Sequence, residues 1–284
     1  MRTALLLALA LAAGSGLAAP PVALAQPAAV EAQASEIERL MERSGLDLVF
    51  DQFGDSLVAG LAEQGAQVSA GFIEAWEQSA ALAFDPDTLN RRLAAAMGEG
   101  LTAGEVAELA AFLDTPLGQT VSLLEKAVQG ATSDEQMTII GEGQSALGAA
   151  SPDRRAGYEE MLALTSADSL NGTVIEAIRG MALGMHLSGG TGGDIDVPWE
   201  EIDAMVDLQV AGLEATLRQI TLAVAAWTYR SLSDDEVQDY LTFLRTPQSQ
   251  KFYEVATDAI GDILREQMFV MGQTVAQRMS RVRV

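Results

Sequence analysis

The sequence has no cysteine, a single histidine, 17 lysines and arginines against 40 aspartates and glutamates, and only 5% aromatic residues in 284. Without cysteine there is no thiolate chemistry, no disulfide, and no cysteine-held zinc or iron–sulfur centre. The lone His186 rules out multi-histidine metal sites and would have to act as the base of any Ser-His-Asp arrangement. A formal charge of −23 at pH 7 excludes sequence-independent nucleic-acid binding, which needs a basic face to displace phosphate counterions. Few aromatics among 49% apolar residues, with many Ala and Leu, point to packed helices and a sizeable core rather than to disorder.

Long hydrophobic runs are also scarce. Arg2 precedes an apolar run from Ala4 to Ala13, and Ala23-Leu24-Ala25 stands before Gln26, the layout of a secretory signal with an A-x-A cleavage site. Residues 1–25 therefore read as a signal peptide cleaved after Ala25, and the protein as periplasmic. A membrane anchor needs about twenty unbroken apolar residues, and Gly14, Gly16, Pro20 and Pro21 interrupt this stretch. Ile220 to Tyr229, between Arg218 and Arg230, is too short to span a bilayer, so no spanning segment is expected after cleavage. Residues 26–34, rich in Pro and Ala without periodicity, read as a mobile leader.

What is present is an internal match. Leu101-Thr102-Ala-Gly-Glu105-Val106, then Phe112-Leu113-Asp-Thr115-Pro116 and Gln119, recurs 131 residues later as Leu232-Ser233-Asp-Asp-Glu236-Val237, Phe243-Leu244-Arg-Thr246-Pro247 and Gln250. Eight of the twenty positions from Leu101 to Thr120 are identical under that shift. The match predicts two tandem copies of a helical unit, residues 35–150 and 151–284.

The shared pattern has a physical reading. Thr102 and Ser233 are N-caps, with Glu105 and Glu236 three residues on to close capping boxes. Leu101 with Val106, and Leu232 with Val237, occupy the positions of hydrophobic staples. Proline disfavours helix in the residue before it and fits the first position of a new helix, so Thr115-Pro116 and Thr246-Pro247 predict a helix, a corner and a second helix. Elsewhere Asp85-Pro86 opens a helix, Ser133-x-x-Gln136 is read as a further capping box, and Asn171-Gly172-Thr173 as a turn. Ile202 to Trp227 and Ile260 to Met279 carry apolar residues every three or four positions. No stretch alternates as a strand would, and the fold class expected is all-α. The predicted interruptions are Gly141 to Pro152, the junction between copies, and Leu187 to Pro198 with its four glycines.

The order Leu-Ser/Thr-x-x-Glu-Val, Phe-x-x-Thr-Pro-x-Gly/Ser-Gln resembles the core of the bacterial family catalogued as domain of unknown function 2059, best over Leu101 to Val128. The second copy departs at Ser249, where the family has Gly, and Leu113 and Leu244 stand where the family often has an aromatic. The resemblance implies an exported, all-helical protein and brings no activity with it.

Candidate chemistry is thin. His186 lies at a helix end, where a positive charge is simply stabilising, and no hydrolase elbow accompanies it. Neither lysine, Lys126 or Lys251, has a Ser-x-x-Lys spacing, and no Glu-x-x-His pair exists for a helical di-iron site. Glu159-Glu160, Glu200-Glu201 and Asp234-Asp235-Glu236 pair carboxylates only as sequence neighbours, which point apart on a helix. No catalytic residue, metal site or cofactor is therefore assigned. Met181, Met185, Met205, Met268, Met271 and Met279 all fall in the second copy, where soft side chains suit either core filling or an adaptable groove. Met181, Met185 and Trp199, flanking the glycine segment, are the expected partner-binding residues. The leading functional expectation is a non-enzymatic envelope interaction or structural module whose partner is an envelope protein or peptide. The alternatives are a chaperone-like binder of peptides or apolar ligands using the methionine-rich copy, and a carboxylate-based hydrolase. The oligomeric state is left open.

Overall fold

A computed structural model describes residues 27–51, 53–54, 57–58, 61, 69–189 and 198–282. Among the described residues the regular structure is entirely helical, so the protein is all-α as expected. The helices are α1 (Pro27–Ser44), α2 (Ala70–Ala83), α3 (Pro86–Gly100), α4 (Ala103–Leu113), α5 (Pro116–Gln129), α6 (Ser133–Ala149), α7 (Pro152–Leu164), α8 (Ala167–Leu187), α9 (Trp199–Val210), α10 (Leu213–Thr228), α11 (Asp234–Leu244) and α12 (Pro247–Val282), with a 3₁₀ turn at Leu46–Leu48. None of the described helices is long and apolar enough to cross a membrane.

Both predicted corners form by the same bonds. Thr102 Oγ1 accepts from the Glu105 amide at 3.3 Å while the Glu105 carboxylate accepts from the Thr102 amide at 2.7 Å; Ser233 and Glu236 repeat this at 3.2 and 2.7 Å. Leu101, Val106, Leu232 and Val237 are all buried. At the corners, Thr115 Oγ1 accepts from the Gly118 amide and donates to the Phe112 carbonyl, and Thr246 treats Ser249 and Phe243 alike. The Gln119 and Gln250 amides donate back to Asp114 O and Leu244 O.

The correspondence extends beyond the sequence match. The Gln33 side-chain amide on α1 donates to the carbonyls of Gly98 and Leu101. Arg154 on α7 donates to the carbonyls of Tyr229 and Leu232, which are those same two positions moved by 131 residues. Gln33 and Arg154 are themselves 121 residues apart, as are Gly45 (φ 78°) and Ser166 (φ 56°), the left-handed residues that follow α1 and α7. Ser44 and Thr165, one residue earlier, each turn a hydroxyl back onto the end of their own helix.

Two apolar clusters hold the helices together, and neither stays within one half of the chain. The first joins Ile37, Leu89, Leu93, Met97 and Leu109 to Phe252, Ile260, Leu264, Met271 and Val275 of α12. The second joins Tyr158, Met161, Tyr240, Leu241 and Leu244 to Val121 of α5. Between them Phe112 and Phe243, equivalent under the 131-residue shift, stack face to face with centroids 3.6 Å apart and planes 5° apart. Helix α12 packs along α8 through glycines: a Cβ at Gly184 would overlap the Phe269 carbonyl, and one at Gly272 that of Met181.

Several local expectations are corrected. Residues 1–26, including the expected signal segment, lie outside the described residues, and residues 27–34 of the expected leader fall within α1. The third capping box is Thr132 with Glu135, not Ser133 with Gln136: Thr132 Oγ1 accepts from the Glu135 amide at 3.4 Å and Glu135 accepts from the Thr132 amide at 2.8 Å. A carboxylate is the stronger acceptor, which leaves Gln136 to donate to Ala131 O. Asn171-Gly172-Thr173 is helix interior in α8, whose start is Ser166. The interruption expected over Gly141–Pro152 is mostly helix, since α6 runs on to Ala149 and only Ala150 and Ser151 separate it from α7.

Candidate functional site

Two concave features share α5, one formed against α6 and α10 and the other against α4, α11 and α12. The open one is a groove of about 290 Å³ lined by Ala127 and Gly130 at the end of α5, Ala131 in the link, Glu135, Thr138 and Ile139 of α6, and Trp227 of α10. It exists because the chain breaks between α5 and α6. Gly130 ends α5, its amide closing onto Lys126 O at 2.9 Å, and Thr132 caps the next helix. Gly143 presses α6 against the α10 backbone, since a Cβ there would overlap the Ala223 carbonyl. That contact sets Trp227 against the break. The indole N–H donates to Glu142 at 2.8 Å, and the Arg230 guanidinium lies 3.7 Å from the ring centroid.

The narrower feature is a cavity lined by Leu109, Phe112, Glu125, Tyr240, Phe243 and Tyr253 among others. The space open to the centre of a water molecule is about 20 Å³, room for about one water. Glu125 accepts from the hydroxyls of Tyr229 at 2.6 Å and Tyr240 at 2.8 Å, and Tyr240 lies 3.3 Å from the Tyr253 hydroxyl. Burial pushes the Glu125 carboxyl above the usual carboxylate range, against the lowering effect of the two tyrosine bonds. Burial, together with the neighbouring Glu125 charge, pushes the hydroxyls of Tyr229 and Tyr240 well above the ordinary tyrosine range. The cluster ties α5 to the end of α10 and to α11, the helices around the Phe112–Phe243 stack.

Sequence reasoning places Trp227 on an apolar helical stripe and assigns no functional role to it, to Glu125 or to the three tyrosines. Glu125 falls among the apolar positions of α5 with nothing nearby in sequence to mark it. Its partners come from residues 229 to 253, more than a hundred positions away. The residues singled out for partner binding lie elsewhere. Met181 packs against the first apolar cluster, and Met185 sits beside Gly272 on α12. Trp199 begins α9, its ring 5.9 Å from that of His186 in the last turn of α8. The glycine segment between them, residues 190–197, lies outside the described residues. Among the described residues no three His, Asp or Glu side chains gather as metal ligands would.

No family model, curated protein or solved structure matches this chain.

Proposed function

We propose that the protein is an exported, non-enzymatic module that holds another envelope component in the groove beside Trp227. The signal-like residues 1–25 and the resemblance of both Thr-Pro corners to the domain of unknown function 2059 family support the envelope setting. One observation carries the binding role. The cavity at Glu125 has room for about one water, whereas the groove offers about 290 Å³ beside a half-buried indole. A large amphipathic ring at an open concavity is the arrangement binding surfaces use for anchors.

The methionine-rich alternative has less support, since Met268 and Met271 are buried and Met181 and Met279 pack on the core. A hydrolase would draw on Glu125, whose cavity has room for about one water. The test fills the groove. Ala127 and Thr138 are both exposed, and changing both to Gln adds bulk from two walls without altering charge. The wild-type protein, immobilised, should retain an envelope component that the doubly substituted protein, equally helical by circular dichroism, does not. Identical retained sets would overturn the groove reading. Recovery of the protein with an intact Met1 would overturn export; the expected N-terminus is Gln26.

A further inference from the structure

The groove's walls are unequal in charge. Glu135 is anionic and held below the usual carboxylate range by its bonds to Thr132, and Glu142, which already accepts from the indole, stands two turns further along α6. Asp134 is exposed in the same first turn. Two cations in the neighbourhood face other groups: Arg230 lies on the Trp227 ring and donates to Trp227 O, and Lys126 has its stem beside Gly45 and its charge acting on Asp47. Leu123, 71% exposed, precedes Ala127 by one turn of α5 and prolongs the apolar floor on that face. An apolar floor under an acidic wall favours a ligand that is apolar on one side and cationic on the other. A second copy of this chain is a poor occupant, because two molecules at −23 repel.

We propose that the occupant is a cationic amphipathic peptide segment, anchored by one large apolar side chain against Ala127, Ile139 and Trp227 with its basic residues along Glu135 and Glu142. The volume fits that anchor. About 290 Å³ is at the bottom of the range of small-molecule pockets, roughly 300–1,000 Å³, and the groove is open rather than enclosing, so it takes one side chain of a longer ligand. Guanidinium stacking by Arg230 shows that the ring already accepts a cation on one face. The proposal rests on the groove reading above and adds the chemistry of the partner.

The experiment uses the purified protein and three short synthetic peptides: leucine with lysine in an amphipathic helical pattern, leucine with glutamate in the same pattern, and serine with lysine. The leucine–lysine peptide should bind saturably, more weakly as salt rises, and the other two should not. The Ala127→Gln/Thr138→Gln protein should lose about tenfold in affinity, equivalent to about 1.4 kcal/mol. Glu142→Gln keeps the acceptor for Trp227 but removes the charge, and should weaken the lysine peptide several-fold. Equal binding of the glutamate peptide, or leucine–lysine binding undiminished in the filled protein, would overturn the proposal, the second by showing attraction to bulk charge alone. If groove filling abolishes capture from the envelope but the lysine peptide fails to bind, the groove stands and the cationic occupant falls. If filling changes neither, both are overturned.

Discussion

Residues 116–149 and 247–282 begin alike and end differently. Each starts at a Thr-Pro corner, and each has glycine at the position fourteen residues after the proline, Gly130 and Gly261. In the first stretch the helix stops there and a new one starts; in the second it runs on through 36 residues. The deciding position comes two residues later. Thr132 supplies the hydroxyl that caps α6, and Ile263 at the equivalent place supplies none and is buried. Glycine alone weakens a helix by roughly 1 kcal/mol, but it needs a competing start signal to end one. The groove opens at that break, so one capping hydroxyl separates a helix that fills a core from a pair that leaves Trp227 half-buried beside it. Glu125 marks a second difference: 131 residues on, the position in α12 is the buried Ala256.

The comparison of the two halves is most exposed to test at the corners. Gly118 and Ser249 occupy equivalent positions, yet a Cβ at Gly118 would overlap the Phe112 carbonyl, whereas Ser249 fits a side chain while fully buried. The α4–α5 corner is therefore the tighter. Gly118→Ser should cost about 3 kcal/mol or more, because the clash is with backbone and cannot be relieved by a rotamer change. Urea unfolding would measure it; a loss under about 0.5 kcal/mol, the scatter of ordinary surface changes, would show that the corners are equally open.

The paired carbonyls give the next largest effect. Arg154 donates to Tyr229 O and Leu232 O at 2.7 Å each, to the Tyr158 hydroxyl, and to Asp234, with its own side chain 11% exposed. Gln33 makes only the two carbonyl bonds, at 3.2 and 3.0 Å. Charged donors contribute more than neutral ones, so Arg154→Leu should cost about 3 kcal/mol and Gln33→Leu about 1 kcal/mol. Equal losses would mean that the extra bonds of Arg154 add nothing.

A smaller difference is electrostatic. Glu105 and Glu236 close the same capping box, but Glu105 also accepts from Lys251 Nζ, 2.8 Å from both of its oxygens. The lysine bond, with those from Thr102, holds the Glu105 carboxyl at about 2. Bonds from Ser233 hold Glu236 low as well. A depressed carboxylate stabilises the fold above its unfolded pKa and loses that contribution as pH falls towards the folded value. Both Glu105→Gln and Glu236→Gln should therefore lower the melting temperature at pH 7, Glu105→Gln by more, and the gap between them should close between about pH 4.5 and pH 2. A gap unchanged across that window would mean the Lys251 pair contributes nothing.

These comparisons also explain what was legible in the sequence. Helix starts were readable because a capping box is a local code: Thr102 with Glu105 and Ser233 with Glu236 are complete within four residues. The error at Ser133 was of the same local kind, two hydroxyls and two acceptors in adjacent frames, decided by the charge of Glu135. The corners and the all-helical class follow from patterns of similarly short range. The groove and the Glu125 cluster did not, since both depend on where α10 lies against α5 and α6. That placement is set by long-range contacts such as Gly143 on Ala223, and no residue near Glu125 in sequence announces Tyr229 or Tyr240. The exchange of packing between halves, α12 into the first cluster and α5 into the second, was equally invisible to a reading that drew its boundary at residue 150.

The smallest predicted effect runs opposite in sign. Ser249 Oγ is buried without a hydrogen-bond partner, while its backbone amide already donates to Thr246 Oγ1 as Gly118 does to Thr115. A hydroxyl in that position has lost its water and gained nothing, so the looser corner carries a cost the tighter one avoids by having no side chain. Ser249→Ala keeps the Cβ that fills the space and removes the unsatisfied group, and should stabilise the protein by about 1 kcal/mol. Ser249→Gly should do less, because it removes the same hydroxyl but leaves a gap and adds freedom to the unfolded chain. Alanine above serine, with glycine below alanine, is the order that urea midpoints should show. A serine more stable than alanine would mean that the hydroxyl finds a partner in solution, and that the two corners differ by a bond rather than by space.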